Sequence, residues 1–374
     1  MIQFNKKHTA KNEAKYISDV LSLDLQSGDG KYTKLCHTYL KNYTKISIPF
    51  LTTSCTHSLE MAALLLDIQL GDEIIMPSFT FVSTANSFLL RGAKIIFCDS
   101  QKNHPNMDIN HVKSLITTKT KAIIPVHYAG IACPMDELIL IGKTNNIKII
   151  EDAAQGIGAF YKEMPLGTVG DIGCISFHDT KNISCGEGGA ILINDPLLKI
   201  KAEIIREKGT NRAAYFRGEI DKYGWQSLGS SYLLSDILAA KLFSQLEELD
   251  QITNYRKKIW QTYFDALKCL ENEGKLALPE IPDFANHNGH MFYLICNSGK
   301  ERNELITYLK KNQIQSAFHY LSLHQSEFYK NKYVGDDLPN SDHFTECLIR
   351  LPLHYTFSLE YQMKVIQAII MFYY

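Results

Sequence analysis

Residues 176–182 read Ser176-Phe177-His178-Asp179-Thr180-Lys181-Asn182 and place a lysine between two apolar runs, 172–176 and 190–193. The glycine-rich segment Gly186-Glu187-Gly188-Gly189 lies between the lysine and the second run. A lysine held between a strand end and such a turn can be partly desolvated, which lowers its pKa towards the neutral amine that attacks carbonyl groups. Taken alone, the stretch favours a solvated loop lysine, because most lysines are exposed. The rest of the chain must decide between the two interpretations.

Length and composition are those of a globular protein. A chain of 374 residues can bury a large core and is expected to form one large and one smaller domain. Hydrophobic residues make up 45% and charged residues 21% of the chain, which is typical of soluble proteins. The net charge of -1 and the lack of a Lys/Arg cluster give no support for a nucleic-acid partner.

No targeting, membrane or metal signal stands out in the sequence. The first residues lack the apolar core and cleavage site of a secretion signal, and no apolar run is long enough to cross a bilayer. Residues 365–374 predict a packed terminal helix instead. Nine cysteines are scattered without a Cys-x-x-Cys pair, so neither a disulfide framework nor a zinc site is expected. These features predict a protein of the reducing cytoplasm.

Residues 49–195 alternate short apolar runs with segments of helical spacing. The strand-like runs are 73–76, 94–98, 122–126 and 147–150, and the helical segments are 58–68, 83–90, 108–116 and 135–143. The alternation predicts strands joined by crossover helices, in a mainly parallel sheet covered on both faces. Ligands of such sheets bind beyond the carboxyl ends of the strands.

Four strand ends carry residues suited to chemistry. Residues 52–59 open a helix with small hydroxyl side chains, which is typical of a phosphate seat or of a simple helix cap. Phe81 follows the next run and can cover a flat ring or pack in the core. Asp152 ends a buried run and either pairs with a cation or caps a helix. With Lys181, these ends meet the needs of pyridoxal 5'-phosphate, whereas the glycine segments match neither a dinucleotide fingerprint nor a P-loop.

The segments before residue 49 and after residue 195 are expected to surround the predicted parallel sheet. Helical spacing over residues 11–23 and up to Tyr43 brackets a glycine-marked turn at 28–33, where Tyr32 is a candidate substrate contact. A helical stretch over 235–267 is expected to link two domains. The second domain is expected to combine short strands and helices, with strands at 291–296 and 316–320 and helices at 303–311 and 361–372. His319, Tyr320 and His324 follow a strand end there and are candidate substrate contacts or core residues.

Six motifs together resemble the DegT/StrS nucleotide-sugar aminotransferases, a family of the aspartate aminotransferase fold type. They are Ser54-Cys55-Thr56, Pro77-Ser78-Phe79-Thr80-Phe81, Pro125-Val126-His127-Tyr128-Ala129-Gly130, Glu151-Asp152-Ala153-Ala154-Gln155, the 176–182 stretch, and Phe318-His319-Tyr320-Leu321-Ser322-Leu323-His324. The resemblance runs along almost the whole chain. It implies an α/β fold of pyridoxal-phosphate fold type I, in which residues 1–250 form the large cofactor-binding domain with its N-terminal segment. Residues 251–374 would form the smaller C-terminal α/β domain.

The resemblance also implies roles for residues around the cofactor. Lys181 would bind pyridoxal 5'-phosphate covalently, and Asp152 would pair with its pyridinium nitrogen. Gln155 would contact the side of the ring that carries the hydroxyl group, and Phe81 would stack on the ring. No metal is implied.

The phosphate group would be held by Cys55, Thr56 and Ser176, the first mainly through its backbone amide. Cys55 departs from the family pattern, which usually has glycine there. Many members have asparagine at the position of Ser231, where it reaches the cofactor phosphate of the partner subunit. The shorter serine puts a direct contact in doubt, whereas the homodimer itself is implied by the fold type.

Within the family, residues 59–69, 206–212 and 221–225 resemble members that make dTDP-4-amino-4,6-dideoxygalactose. This implies amino transfer from L-glutamate to the 4-keto carbon of dTDP-4-dehydro-6-deoxyglucose, for a cell-surface polysaccharide. The alternatives are an aminotransferase for a 3-keto or differently nucleotide-linked sugar, and a non-catalytic regulator that has kept the fold. Lys181, which related sugar dehydratases replace with histidine, favours the transaminase.

Overall fold

The computed structural model describes residues 1–45 and 48–374. Its helices are α1 (Glu13–Leu21), α2 (Lys31–Thr44), α3 (Cys55–Leu65), α4 (Val82–Leu89), α5 (Ile109–Leu115), α6 (Met135–Asn145), α7 (Lys199–Arg206), α8 (Arg212–Phe216), α9 (Asp236–Leu246), α10 (Leu249–Asn272), α11 (Gly299–Lys311), α12 (Pro339–Cys347) and α13 (Leu359–Tyr373). Its strands are β1 (Ile48–Thr52), β2 (Glu73–Pro77), β3 (Lys94–Cys98), β4 (Thr120–Ile123), β5 (Lys148–Asp152), β6 (Phe160–Tyr161), β7 (Met164–Pro165), β8 (Ile172–Ser176), β9 (Gly189–Ile193), β10 (Leu276–Ala277), β11 (Ala285–Asn286), β12 (Phe292–Cys296), β13 (Ala317–Phe318) and β14 (Leu348–Leu351).

The main sheet has seven strands in the order β1-β9-β8-β5-β4-β2-β3. Neighbours from β3 to β8 are parallel, whereas β9 runs antiparallel to both β8 and β1. The predicted mainly parallel sheet is therefore confirmed. The carboxyl ends of β1, β2, β5 and β8 consequently meet at one edge, where ligands of such sheets bind.

Helices cover both faces of this sheet, because alternate side chains of each strand point to opposite sides. On β2, Ile75 belongs to a core cluster with Leu40 of α2 and Leu242 of α9. Its neighbour Ile74 belongs to a second cluster with Leu59 of α3. The four helical segments predicted between the strands correspond to α3, α4, α5 and α6, with ends displaced by a few residues.

A smaller antiparallel sheet follows, in the order β10-β12-β14-β13. Trp260 and Tyr263 of α10 and Ile366 of α13 pack on it around Leu294. The terminal segment 365–374 is thus part of a packed helix, as predicted. The helical stretch expected over 235–267 is divided into α9 and α10, and neither proline nor glycine marks the break. A domain division at residue 250 stays a prediction.

Candidate active site

A cavity of about 770 Å³ opens between the carboxyl edge of the main sheet and the smaller sheet. One wall, which we call the large-sheet wall, belongs to the main sheet and its loops, and the opposite wall, the small-sheet wall, belongs to β13, β14 and the segment after β13. The cavity brings together most of the residues predicted from the sequence: Cys55, Thr56, Phe81, Asp152, Gln155, Ser176, Lys181, His319 and Tyr320. Residues from segments more than 250 positions apart therefore share one site.

Asp152 is the last residue of β5 and is buried. Its Oδ2 accepts a hydrogen bond from Thr84 Oγ1 at 2.8 Å, and its Oδ1 accepts one from the Ala154 amide at 3.1 Å. Burial raises the pKa of Asp152, while these hydrogen bonds and the charge of Lys181 act in the opposite direction. A buried carboxylate in this position is suited to pair with a cationic group of a bound ligand.

Lys181 lies in the loop between β8 and β9, where its amide donates to the His178 carbonyl at 2.9 Å. Within residues 1–45 and 48–374, no hydrogen bond or ion pair engages its Nζ. Burial lowers the pKa of Lys181; Asp152 opposes this shift, and the charge of Arg350 adds to it. The amine is therefore shifted towards the neutral, nucleophilic form predicted from the sequence.

The N-terminus of α3 packs directly on the sheet edge. Ser54 caps the helix by accepting a hydrogen bond from the His57 amide at 3.1 Å. A Cβ atom at Gly189, where β9 begins, would lie 2.4 Å from the Ser54 carbonyl carbon and 2.5 Å from the Cys55 nitrogen. Glycine is needed for this approach, which places the first turn of α3 beside Ser176 in the cavity lining. The amides and the dipole of a helix start attract anions such as phosphate.

Phe81 and Gln155 complete the large-sheet wall. Phe81 is 54% exposed although its ring is apolar, and its centroid lies 6.1 Å from that of Tyr320. Gln155 is buried, accepts a hydrogen bond from the Ala129 amide at 2.6 Å and donates one to the Tyr320 hydroxyl at 3.2 Å. Phe81 is thus free to cover a flat ligand, and Gln155 ties the two walls together.

Three of the predicted site residues do not line the cavity. Tyr32 is buried on α2 against Tyr16, with ring centroids 5.2 Å apart. His324 is buried with its Nδ1 2.7 Å from Ser78 Oγ. Ser231 is exposed, and it forms an isolated β-bridge with Glu207. Its contact with a partner subunit's cofactor stays a prediction.

Arg350 is a cavity residue that the sequence analysis did not identify. It lies on β14, and its Nη2 donates to the Phe318 carbonyl at 3.0 Å. The available signal was a charged residue inside an otherwise apolar run, 348–353. Sequence reasoning assigned no strand there, so the arginine had no predicted position.

The groups in the cavity fit pyridoxal 5'-phosphate. A helix start can take the phosphate, an exposed aromatic ring can cover the pyridine ring, a buried carboxylate can pair with its nitrogen, and a lysine with a lowered pKa can bind its aldehyde. In the part of the chain that the structure describes, no group of three His, Cys, Asp or Glu residues is placed to hold a metal ion. No helix there is long and apolar enough to cross a membrane.

Known proteins resemble this chain over most of its length. The model of the DegT/DnrJ/EryC1/StrS aminotransferase family matches residues 7–370. The uncharacterized protein MJ1066 of Methanocaldococcus jannaschii is 33% identical over 332 residues, which are 87% of this chain and 84% of that protein. The spore coat polysaccharide biosynthesis protein SpsC of Bacillus subtilis is 31% identical over 325 residues, or 84% and 83% of the two chains.

A solved structure extends the likeness to the cofactor-bound state of a relative. The pyridoxal-phosphate form of Spr1654 from Streptococcus pneumoniae, described as a sugar aminotransferase, has a TM-score of 0.90 and 26% identity. The match covers 99% of this chain and 98% of that one. The chain therefore belongs to the DegT/DnrJ/EryC1/StrS aminotransferase family, whose members are sugar aminotransferases that depend on pyridoxal 5'-phosphate.

Proposed function

We propose that the protein transfers the amino group of L-glutamate to the 4-keto carbon of dTDP-4-dehydro-6-deoxy-D-glucose. The products are dTDP-4-amino-4,6-dideoxy-D-galactose and 2-oxoglutarate. The observation that carries the transaminase chemistry is the presence of Lys181, Asp152 and the start of α3 in one cavity. The choice of sugar is supported by the resemblance of residues 59–69, 206–212 and 221–225, and a role in polysaccharide synthesis by the similarity to SpsC.

The cavity residues would hold the cofactor in a defined orientation. Cys55, Thr56 and Ser176 would bind its phosphate, Phe81 would cover its ring, and Asp152 would pair with its ring nitrogen. Bound there, pyridoxal 5'-phosphate supplies an electron-accepting ring that stabilises negative charge on the carbon bearing the amine. Asp152 is suited to this role because its burial excludes water from the pair that it would form.

Lys181 would move the proton in both halves of the reaction. Its lowered pKa favours the neutral amine, which can take a proton from the α-carbon of glutamate. The same Nζ would later donate a proton to C4 of the sugar. Because a single amine on one wall delivers this proton, one face of C4 receives it, and this sets the axial amine of the galactose product.

We also propose that the protein is a cytoplasmic homodimer. Phe216, Tyr223 and Trp225 are exposed on the segment that precedes Ser231 and offer an apolar surface to a second copy. Ser231 would then face the neighbouring site. All nine cysteines are free thiols, which fits a reducing compartment.

The test measures the two half-reactions separately. The purified protein is loaded with pyridoxal 5'-phosphate, aminated with L-glutamate, freed of excess donor and mixed with dTDP-4-dehydro-6-deoxyglucose, and the sugar is identified by NMR. We expect the original absorbance spectrum to return together with an axial 4-amino sugar. A response to glutamate without recovery by this sugar would contradict the sugar assignment and direct the search to 3-keto or other nucleotide-linked sugars. No response to glutamate would contradict the transaminase itself.

A further inference from the structure

His290 lines the cavity from the segment just before β12. Its amide donates to Asn288 Oδ1 at 3.0 Å, and its carbonyl accepts from Arg256 Nη2 at 2.7 Å. Asn288 is itself held through its Nδ2, which donates to the carbonyls of Gln155 and Ile157, both at 2.8 Å. The backbone of His290 is therefore tied both to the loop after β5 and to α10, so its ring has a fixed place in the cavity.

The side chain of Asn182 determines which ring nitrogen of His290 carries the proton. Asn182 follows Lys181 in the chain, and its Nδ2 donates to the Asn288 carbonyl at 3.2 Å. Its Oδ1 lies 2.9 Å from His290 Nδ1, and an amide oxygen can only accept a hydrogen bond. Nδ1 is therefore the donor, and it must carry the proton.

The charges around His290 keep its ring neutral. Burial lowers the pKa of His290, and the positive charges of Lys181, Arg256 and Arg350 lower it further. A neutral imidazole has one ring proton, and Nδ1 holds it, so Nε2 presents a lone pair. Within residues 1–45 and 48–374, no hydrogen bond engages this Nε2. It is therefore free to accept a hydrogen bond from a ligand in the cavity.

His319, another histidine of the cavity, is not defined in this way. Its Nδ1 lies 3.0 Å from the Tyr128 hydroxyl, which can donate or accept. Either tautomer of His319 satisfies that pair, so its surroundings do not decide where the proton lies. Of the two histidines, His290 is the one whose hydrogen bonds orient an acceptor in advance.

We propose that Nε2 of His290 accepts a hydrogen bond from the hydroxyl group on the sugar carbon next to the reacting keto carbon. Lys181 must reach the reacting carbon in order to move its proton. Its charge lowers the pKa of His290, so the two side chains are close to each other. A hydroxyl on the adjacent carbon lies one bond beyond the reacting carbon and belongs to the same part of the cavity. A neutral acceptor among cations suits a neutral donor, because the same cations repel an ammonium group.

The inference rests on the proposed function only in naming the group, which is the 3-hydroxyl when the keto carbon is C4. L-glutamate has no hydroxyl group, so this role of His290 belongs to the half-reaction with the sugar. A rival role, in which Nε2 accepts from the Lys181 amine, would affect both half-reactions alike. The two half-reactions therefore distinguish the roles.

The experiment measures single-turnover rates of each half-reaction by stopped-flow absorbance on the cofactor-loaded enzyme. His290→Asn places an amide nitrogen near the position of Nδ1 and can keep the bond to Asn182, but it has no atom at the position of Nε2. His290→Gln is longer and can offer its amide oxygen there. His104→Asn is the matched control, because His104 is also buried and its Nε2 has no hydrogen-bond partner in the described part of the chain, yet it does not line the cavity. Unchanged cofactor absorbance and circular dichroism show that each variant is folded.

We expect His290→Asn to slow the reaction of the aminated enzyme with dTDP-4-dehydro-6-deoxyglucose about 10- to 100-fold. Its reaction with L-glutamate should stay within about twofold of the wild type. His290→Gln should recover part of the lost rate, and His104→Asn should match the wild type. An unchanged sugar half-reaction in His290→Asn overturns the inference. Equal slowing of both half-reactions also overturns it and places the role at Lys181.

A sugar without the hydroxyl identifies the hydrogen-bond donor. The 3-deoxy counterpart, dTDP-4-dehydro-3,6-dideoxyglucose, should react with the wild type about 10- to 100-fold more slowly than the normal sugar. His290→Asn should treat the two sugars nearly alike, because the acceptor for the hydroxyl is already missing. An equal penalty in the wild type and in His290→Asn would show that the hydroxyl is bound elsewhere.

The outcome is separable from that of the proposed function. If the wild type forms the 4-amino sugar and His290→Asn does so at the same rate, the function stands and the inference fails. If the wild type rejects this sugar, the sugar assignment fails, and the variants are compared on the keto-sugar that restores the absorbance spectrum. A loss confined to that half-reaction supports the inference, and an equal loss in the glutamate half-reaction overturns it.

Discussion

The residues on the two walls of the cavity are brought into place by different kinds of strand pairing. On the large-sheet wall, Asp152 and Lys181 follow parallel strands whose carboxyl ends meet at one edge, so topology alone brings them together. On the small-sheet wall, Arg350 faces the cavity because β14 pairs with both β12 and β13, which places it opposite Tyr293 and Ala317. We infer that the first wall carries the bond-changing groups and the second carries the groups that orient substrates. Variants on the two walls should therefore differ in kind and in size.

Lys181→Ala should have the largest effect, because it removes both the covalent anchor and the proton carrier. We expect turnover to fall at least about 10⁴-fold, whereas some cofactor stays bound through the start of α3. Product formation and cofactor absorbance after gel filtration measure the two properties separately. Lys162→Ala, at an exposed lysine paired with Asp136, is the control and should keep wild-type turnover. Normal turnover of Lys181→Ala would refute the assignment of the site.

Asp152→Asn should have the next largest effect. Asparagine has nearly the same shape and can still accept the hydrogen bond of Thr84, but it brings no negative charge to the ring nitrogen. We expect kcat to fall roughly 10²- to 10³-fold at saturating substrates.

Thr84→Val is the matched control for the charge of Asp152. It removes the hydrogen bonds that the Thr84 hydroxyl makes with Asp152 and with Thr80 but keeps the carboxylate, so it should cost less than about tenfold in kcat. If Thr84→Val were as damaging as Asp152→Asn, the charge of Asp152 would not be the property that matters.

The difference between the walls also explains what the sequence could predict. Apolar runs such as 147–150 and 172–176 mark buried parallel strands, and the residue after each run is then placed at the ligand edge. β14 is a short strand whose partners lie 33 and 57 residues earlier in the chain, as the pairs of Arg350 with Ala317 and of Arg350 with Tyr293 illustrate. Such pairing leaves no local signal, so Arg350 had no predicted position.

Tyr32 shows the opposite limit of sequence reasoning. It stands within the glycine-marked turn predicted at 28–33, which suggested an accessible loop, but α2 begins at Lys31 and buries the ring against Tyr16 and Phe243. A turn motif in the sequence does not fix the first residue of the following helix to within one residue. A shift of one residue is enough to turn a side chain from solvent to the core.

A pair of tyrosine variants, with smaller expected effects, tests the distinction between Tyr320, which lines the cavity, and Tyr32, which does not. Tyr320→Phe removes the hydroxyl that accepts from Gln155 across the two walls, and we expect kcat/KM to fall roughly 2- to 10-fold. Tyr32→Phe leaves the cavity untouched, so kcat/KM should change less than about twofold. A larger loss for Tyr32→Phe than for Tyr320→Phe would show that the cavity is not the complete substrate site.

The smallest effect should be the electrostatic influence of one wall on the other, which the pH dependence of cofactor capture can measure. Capture of pyridoxal 5'-phosphate by cofactor-free protein requires the neutral Lys181 amine, and burial disfavours the charged form, so the midpoint should lie below the usual lysine pKa of 10.5. Arg350→Gln removes a positive charge that also lowers the pKa of Lys181, so the midpoint should move to higher pH. Arg302→Gln, at an arginine of α11 that does not line the cavity, is the control and should leave the midpoint in place. Stopped-flow absorbance over a pH series gives both midpoints. An unchanged midpoint in Arg350→Gln would mean that the two walls act independently, and a lower midpoint would contradict the expected sign of the influence.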